Sequence, residues 1–139
     1  MNQGKKFSEI LVGDLAKFEV LVDEEMHSSF AKLISDFSPI HTDDVFCSTT
    51  KFKRRLGYAF LLTSFLSRLY GHYLPGGSSV CVKQEVKFIK PFYVGDRLTI
   101  CGQVVRKVLS TKLVEIKSEA FRNIDEKVFE GKGLVQVFV

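Results

Sequence analysis

Apolar side chains crowd residues 56–73, where Leu56, Phe60, Leu61, Leu62, Phe65, Leu66, Leu69 and Tyr70 fall on nearly all sides of a helical projection. Such a segment has no solvent face to spare, so it predicts a helix buried on most of its surface. Beyond the breaker LPGGSS at 74–79, VCVKQEVKFI, DRLTICGQVVRKVL, KLVEIKSEAFRN and KVFEGKGLVQVFV read as four successive strands. Val82, Val86 and Phe88 alternate with Lys83, Glu85 and Lys87, and Leu98, Ile100 and Val104 alternate with Thr99 and Gln103. That period predicts one buried and one polar face. The joins at 95–96, 110–111 and 123–126 have hairpin length, so the strands are expected to form an antiparallel meander around the buried helix.

Upstream, LAKFEVLV at 15–22 reads as a first strand. Asp23 then suits an N-cap, with Glu24 and Glu25 in the first turn of a helix that ends near Asp36. Pro39 disfavours helical geometry at Ser38, so the chain is expected to loop through FSPIH before Thr42 caps a short second helix beginning DDVFCS. The stretch SDFSPIHTDD thereby sets Asp36 and His41 five positions apart. Five residues rotate a helix by about 140° past a full turn, and in a strand they point to opposite faces. Only a turn brings the two side chains together.

A chain of 139 residues, 45% hydrophobic with 13 phenylalanines, fills the core of one domain, residues 1–139, without disulfides or a structural metal. Cys47, Cys81 and Cys101 are odd in number, form no CxxC pair and have no His at ligand spacing, which predicts a reduced, cytoplasmic setting and no metal site. The N-terminal residues lack a signal-peptide core, and Thr63, Ser64, Ser67 and Arg68 interrupt the longest apolar run, so neither secretion nor membrane spanning is expected. A net charge of +4 admits an acidic partner. KFKRR at 51–55 carries no aromatic ladder and reads as solvated surface, so nucleic acid is not an expected partner.

Three ordered blocks carry a family resemblance. SDFSPIHTDDVFCS resembles the GDxNPIHxD signature of the MaoC-like dehydratase and R-specific enoyl-CoA hydratase family, AFLLTSFLSRLYGHYLPG resembles its GMLxxSLxSxLxGxxLPG helix, and VKQEVKFIKPFYVGDRLTI resembles QxLxFxxPVxxGDxLT. The resemblance implies an α+β fold: a single hot-dog domain, an antiparallel sheet wrapped around a long central helix. It also implies reversible hydration of trans-2-enoyl thioesters to (R)-3-hydroxyacyl thioesters, with Asp36 and His41 sharing one water. Water attack at C3 and protonation at C2 suit a carboxylate and an imidazole. The enolate-like thioester oxygen needs a preorganised donor. The family supplies a backbone N–H at the start of the central helix, which falls on Ala59.

The resemblance further implies supporting roles for Ser38 and Ser64, a homodimer, and an acyl-CoA or acyl-carrier-protein thioester as partner. No separate cofactor is expected, because CoA or phosphopantetheine enters as part of the substrate. Lys51, Lys53, Arg54, Arg55 and Lys90 are candidates to meet its phosphates or an acidic carrier. A non-catalytic acyl-thioester-binding protein and a thioesterase stand as alternatives. Asp43 and Asp44 read as helix-start residues, His27 and His72 as ordinary helix and loop residues. Departures from the family pattern are Ser35 for Gly, Ser38 for Asn, and Tyr58-Ala59 for His-Gly.

Overall fold

Strand alternation sets the architecture. In the computed structural model, which describes residues 4–139, the chain forms β1 (Leu15–Leu21), α1 (Glu24–Ile34), α2 (Pro39–Thr42), α3 (Asp44–Ser48) and α4 (Ala59–Arg68). There follow β2 (Ser79–Phe88), β3 (Arg97–Val108), β4 (Leu113–Arg122) and β5 (Glu126–Val137), with a short 3-10 turn at Phe7–Glu9 near the start. A π-helical turn, Leu69–Tyr73, extends α4, so the apolar run of residues 56–73 is helical from residue 59 onward. On the inner face of the sheet Leu98, Ile100 and Val104 of β3, Val114, Ile116 and Ala120 of β4, and Val128, Val135 and Val137 of β5 are buried in one core with Leu61, Leu62, Leu66 and Leu69. This is the expected α+β hot-dog arrangement, an antiparallel sheet wrapped around a long central helix. At about 25 cal/mol per Å², burial of such side chains is the main stabilising term.

The meander expectation needs correction. The strand order is β1-β3-β4-β5-β2, all neighbours antiparallel, so only β3, β4 and β5 follow one another as hairpins. β2 pairs with β5, and the segment after it crosses the sheet to reach β3 rather than making a hairpin at 95–96. Gly95 still turns there with φ 95, and its N–H bonds the Val22 carbonyl. Turn chemistry marked a reversal correctly; it does not say which strand lies alongside.

β2 also departs from the buried-and-polar alternation. As an edge strand it leaves Val82, in the register break between Cys81 and Lys83, 53% exposed and Phe88, paired with the buried Phe129, 42% exposed. The opposite face of the sheet carries the charges, paired across strands as Lys127–Glu119 and Arg106–Glu115 and along β5 as Lys127–Glu130.

Candidate active site

Local backbone rules build the loop that carries Asp36 and His41. Asp23 caps α1 by accepting the Met26 N–H at 2.8 Å, and α1 ends at Ser35 in the left-handed conformation, φ 57. The reversal lets the Asp36 N–H return to Ala31 O at 3.2 Å. Asp36 Oδ1 then accepts from the Ser38 N–H (3.0 Å) and the Ser38 hydroxyl (2.7 Å), closing a turn around the carboxylate. Ser38 is extended and Pro39 begins α2, a single helical turn, where the missing N–H of proline costs nothing. Thr42 does not cap the next helix as expected: its hydroxyl bonds back to Phe37 O and Ser38 O, and Asp43 caps α3 through the Phe46 N–H. Cys47, buried, donates to Pro39 O and Ile40 O from behind.

The imidazole of His41 is fixed by its backbone neighbours. Nδ1 lies 2.9 Å from Leu56 O, and a carbonyl can only accept, so Nδ1 carries a proton, and in the neutral imidazole Nε2 keeps the lone pair. The His41 carbonyl in turn accepts from His27 Nε2 at 2.8 Å. Asp36 Oδ2 has no partner among the described residues. Asp36 and His41 therefore present one free acceptor each to the same cavity, of about 440 Å³, whose walls include Ala59, Phe60, Leu62, Phe88, Lys90 and Phe92. The Ser38 hydroxyl, then the Ser38 amide and the nearby His41, hold the Asp36 carboxyl below its ordinary range.

Ala59 is the first residue of α4 and lines this cavity. Its N–H has no carbonyl one turn earlier to bond, so it is available at the positive end of the helix dipole. The start of α4 is held by Gly57, whose N–H donates to Phe92 O at 2.7 Å; a Cβ on Gly57 would run into the Phe92 ring.

The remaining candidates separate. Ser38 braces Asp36 directly. Ser64 is placed away from its expected supporting position: its hydroxyl bonds back to Phe60 O at 2.7 Å, and it does not line the cavity. Arg55 forms a two-pronged ion pair with Glu24 at 2.7–2.8 Å and reaches Asp44 at 3.0 Å, so its donors are engaged within the protein. Lys53 points to Ser48 O and Lys51 over the Phe52 ring, away from the cavity walls. Lys90 lines the cavity mouth with Glu126 3.6 Å away, and Arg54 stacks on Tyr93 at 3.8 Å. Among the described residues no group of three or more His, Cys, Asp or Glu side chains is placed to hold a metal, and no helix is long and apolar enough to cross a membrane.

Two residues outside the sequence-derived set touch the pair. His27, read as an ordinary helix residue, is 2% exposed, and burial pushes its imidazole down. Tyr58 is 3% exposed; its hydroxyl donates to Asp36 O at 2.6 Å, and its ring stacks on His41 with centroids 4.0 Å apart. The spacing of His27 and Ala31 on the inner face of α1 is a usable signal for the first; for the second, the departure of Tyr58 from the family's His marks the position but not its contacts.

Comparison with known proteins gives the family and the fold. The family profile described as "MaoC like domain" matches residues 12–123. The (R)-specific enoyl-CoA hydratase of Rhodospirillum rubrum is 30% identical over 131 residues, 94% of this chain and 90% of that enzyme. The enzyme of the same name from Aeromonas caviae is 38% identical over 88 residues, 63% of this chain and 66% of its own length. A solved structure described as the (R)-hydratase from A. caviae involved in PHA biosynthesis superposes with a TM-score of 0.90 at 28% identity, covering 94% of this chain and 98% of that one.

Proposed function

The chain belongs to the MaoC-like domain family, and on that premise we propose that it is an (R)-specific enoyl-CoA hydratase, acting equally as a 3-hydroxyacyl thioester dehydratase in reverse. The observation that carries the reading is the pair of unengaged acceptors, Asp36 Oδ2 and His41 Nε2, facing one cavity that also receives the Ala59 amide. A water held between the two acceptors gives its oxygen to C3 of the enoyl thioester. The pair takes one proton from that water and returns one to C2, so a hydroxyl and a hydrogen are added across the double bond and no net proton is consumed. As C3 is attacked, charge moves through C2 to the thioester oxygen, where the Ala59 N–H stabilises it.

In this reading the acyl group lies along Phe60, Leu62 and Phe88, and Lys90 with Arg54 meets the phosphates of CoA or an acidic carrier protein. The thioester brings its own phosphopantetheine arm, and no metal or other cofactor takes part. The long, half-bare β2 edge supports a homodimer in which two β2 strands pair, covering Val80, Val82 and Phe88. The cytoplasm is the assigned compartment.

Incubation of the purified protein with crotonyl-CoA tests the reading. The enone absorbance falls, the product is (R)-3-hydroxybutyryl-CoA, and no free thiol appears. Asp36→Asn and His41→Gln each lower kcat by about 100-fold or more without loss of folding. Full activity in both variants, or thiol release in place of hydration, overturns the assignment.

A further inference from the structure

We propose that Tyr58 is a positioning residue that sets the spacing between Asp36, His41 and the oxyanion donor, an inference that rests on the hydration reading above. Asp36 and His41 belong to a loop; the amide that stabilises the thioester oxygen belongs to α4. Catalysis requires these two elements to hold one geometry, and a shift of about 1 Å can cost about 100-fold in rate. Tyr58 is where they meet. It is the N-cap residue of α4, directly before Ala59 in the chain, so its backbone fixes the position of the Ala59 amide. Its side chain reaches back to both members of the pair: the hydroxyl donates to Asp36 O at 2.6 Å, and the ring lies against the His41 imidazole at 4.0 Å with 23° between planes.

The side chain is itself held. Phe30 of α1 meets the Tyr58 ring edge-on at 5.2 Å, and His27, bonded to the His41 carbonyl, lies 4.8 Å away. Burial and the adjacent Asp36 charge push the Tyr58 phenol up, so it remains a donor. Ser38 pins the Asp36 carboxylate through Oδ1 and Tyr58 pins the backbone carbonyl, which leaves Oδ2 without a partner among the described residues. A merely packed tyrosine needs no hydrogen bond to the Asp36 carbonyl and no parallel stack on the imidazole. Both contacts converge on the reacting pair, not on the wider core.

Steady-state kinetics on crotonyl-CoA, with unfolding measured alongside, test this on the intact chain. Tyr58→Phe keeps the ring and removes the hydroxyl; kcat is expected to fall about tenfold with KM within about twofold, since the loss is felt at the transition state. Tyr58→Leu removes the stack as well and is expected to lower kcat about 100-fold. If Tyr58→Leu does not fold, Tyr58→Phe alone decides. Lower stability with wild-type kcat in Tyr58→Phe overturns the positioning role and leaves the hydration reading intact. An inactive wild-type protein overturns the hydration reading, and the role of Tyr58 with it.

Discussion

At the N-terminal end of α4, Asp36 and His41 each keep one acceptor free toward a cavity, with the Ala59 amide beside them. Past the other end of the same helix, in the π-helical turn, Tyr70 donates to Gln84 Oε1 at 2.5 Å and Gln84 Nε2 donates to Glu85 O at 2.9 Å. Both clusters are polar and both abut the apolar core, and the second also borders a groove of about 270 Å³. They differ in how their hydrogen-bonding capacity is used. Tyr70 and Gln84 satisfy one another, which is how a polar pair holds two elements together, while the Ser118 hydroxyl next to them is buried without a partner among the described residues and faces no substrate-sized opening of its own. Around the pair the hydrogen bonds come from behind, Asp36 through Ser38 and Tyr58 and His41 through Leu56 and His27, and the front is left open. Polarity in a core is thus a poor guide to function, and so is an unsatisfied buried atom by itself; free acceptors on two side chains that line one cavity are a better one.

That contrast breaks most severely at the closed end. Gly133 of β5 faces Tyr70, and a Cβ there would collide with the Tyr70 hydroxyl and sit 2.7 Å from Gln84 Oε1. Gly133→Ala therefore forces the Tyr70–Gln84 bond apart while overpacking the interior. Together these cost about 2–4 kcal/mol, measured by urea unfolding. Unchanged stability would mean that the far cluster is as open as the near one.

A middle-sized effect probes the open end. In Ser38→Ala the hydroxyl that does most to depress the Asp36 carboxyl is gone while the backbone N–H remains, so the carboxyl rises toward its ordinary range. A depressed carboxyl contributes stability above its unfolded-state pKa and loses it as pH falls through the folded one. The variant gives up part of that contribution. Its kcat/KM is expected to drop away on the acid side at a higher pH than wild type. Superimposable pH profiles would show that Ser38 only shapes the loop.

What was legible in the sequence follows the same division. Period-two alternation in β3, the Asp23 cap and the apolar run of α4 are local patterns, and local physics produced the elements they predicted. The place of β2 was not legible, because a hairpin-length join constrains distance along the chain and not which edge of the sheet a strand takes. At the site, the Pro39 break and the helix start expected at Thr42 pointed to a turn that gathers Asp36 and His41. Arg55 looked available to a substrate because its partners, Glu24 and Asp44, lie 31 and 11 residues away. Tyr58 escaped for the same reason: it stands 22 residues from the carbonyl it holds.

Ser35 carries the smallest effect and the most local one. It ends α1 at φ 57 and ψ 34, a region in which a Cβ crowds the following carbonyl and glycine does not. The left-handed turn is nevertheless needed, since it sends the Asp36 N–H back to Ala31 O and points the carboxylate toward the cavity. Ser35→Gly relieves that strain but adds freedom to the unfolded chain, so the net gain is expected to be only about 0.5–1 kcal/mol by urea unfolding. Activity should not rise with it, because Ser38 already holds the carboxylate and Tyr58 the backbone carbonyl of Asp36. A variant that is more stable but much less active would show that the loop depends on the stiffness of residue 35 as well as on those two anchors, and the open end of α4 would then be less well held from behind than its hydrogen bonds imply.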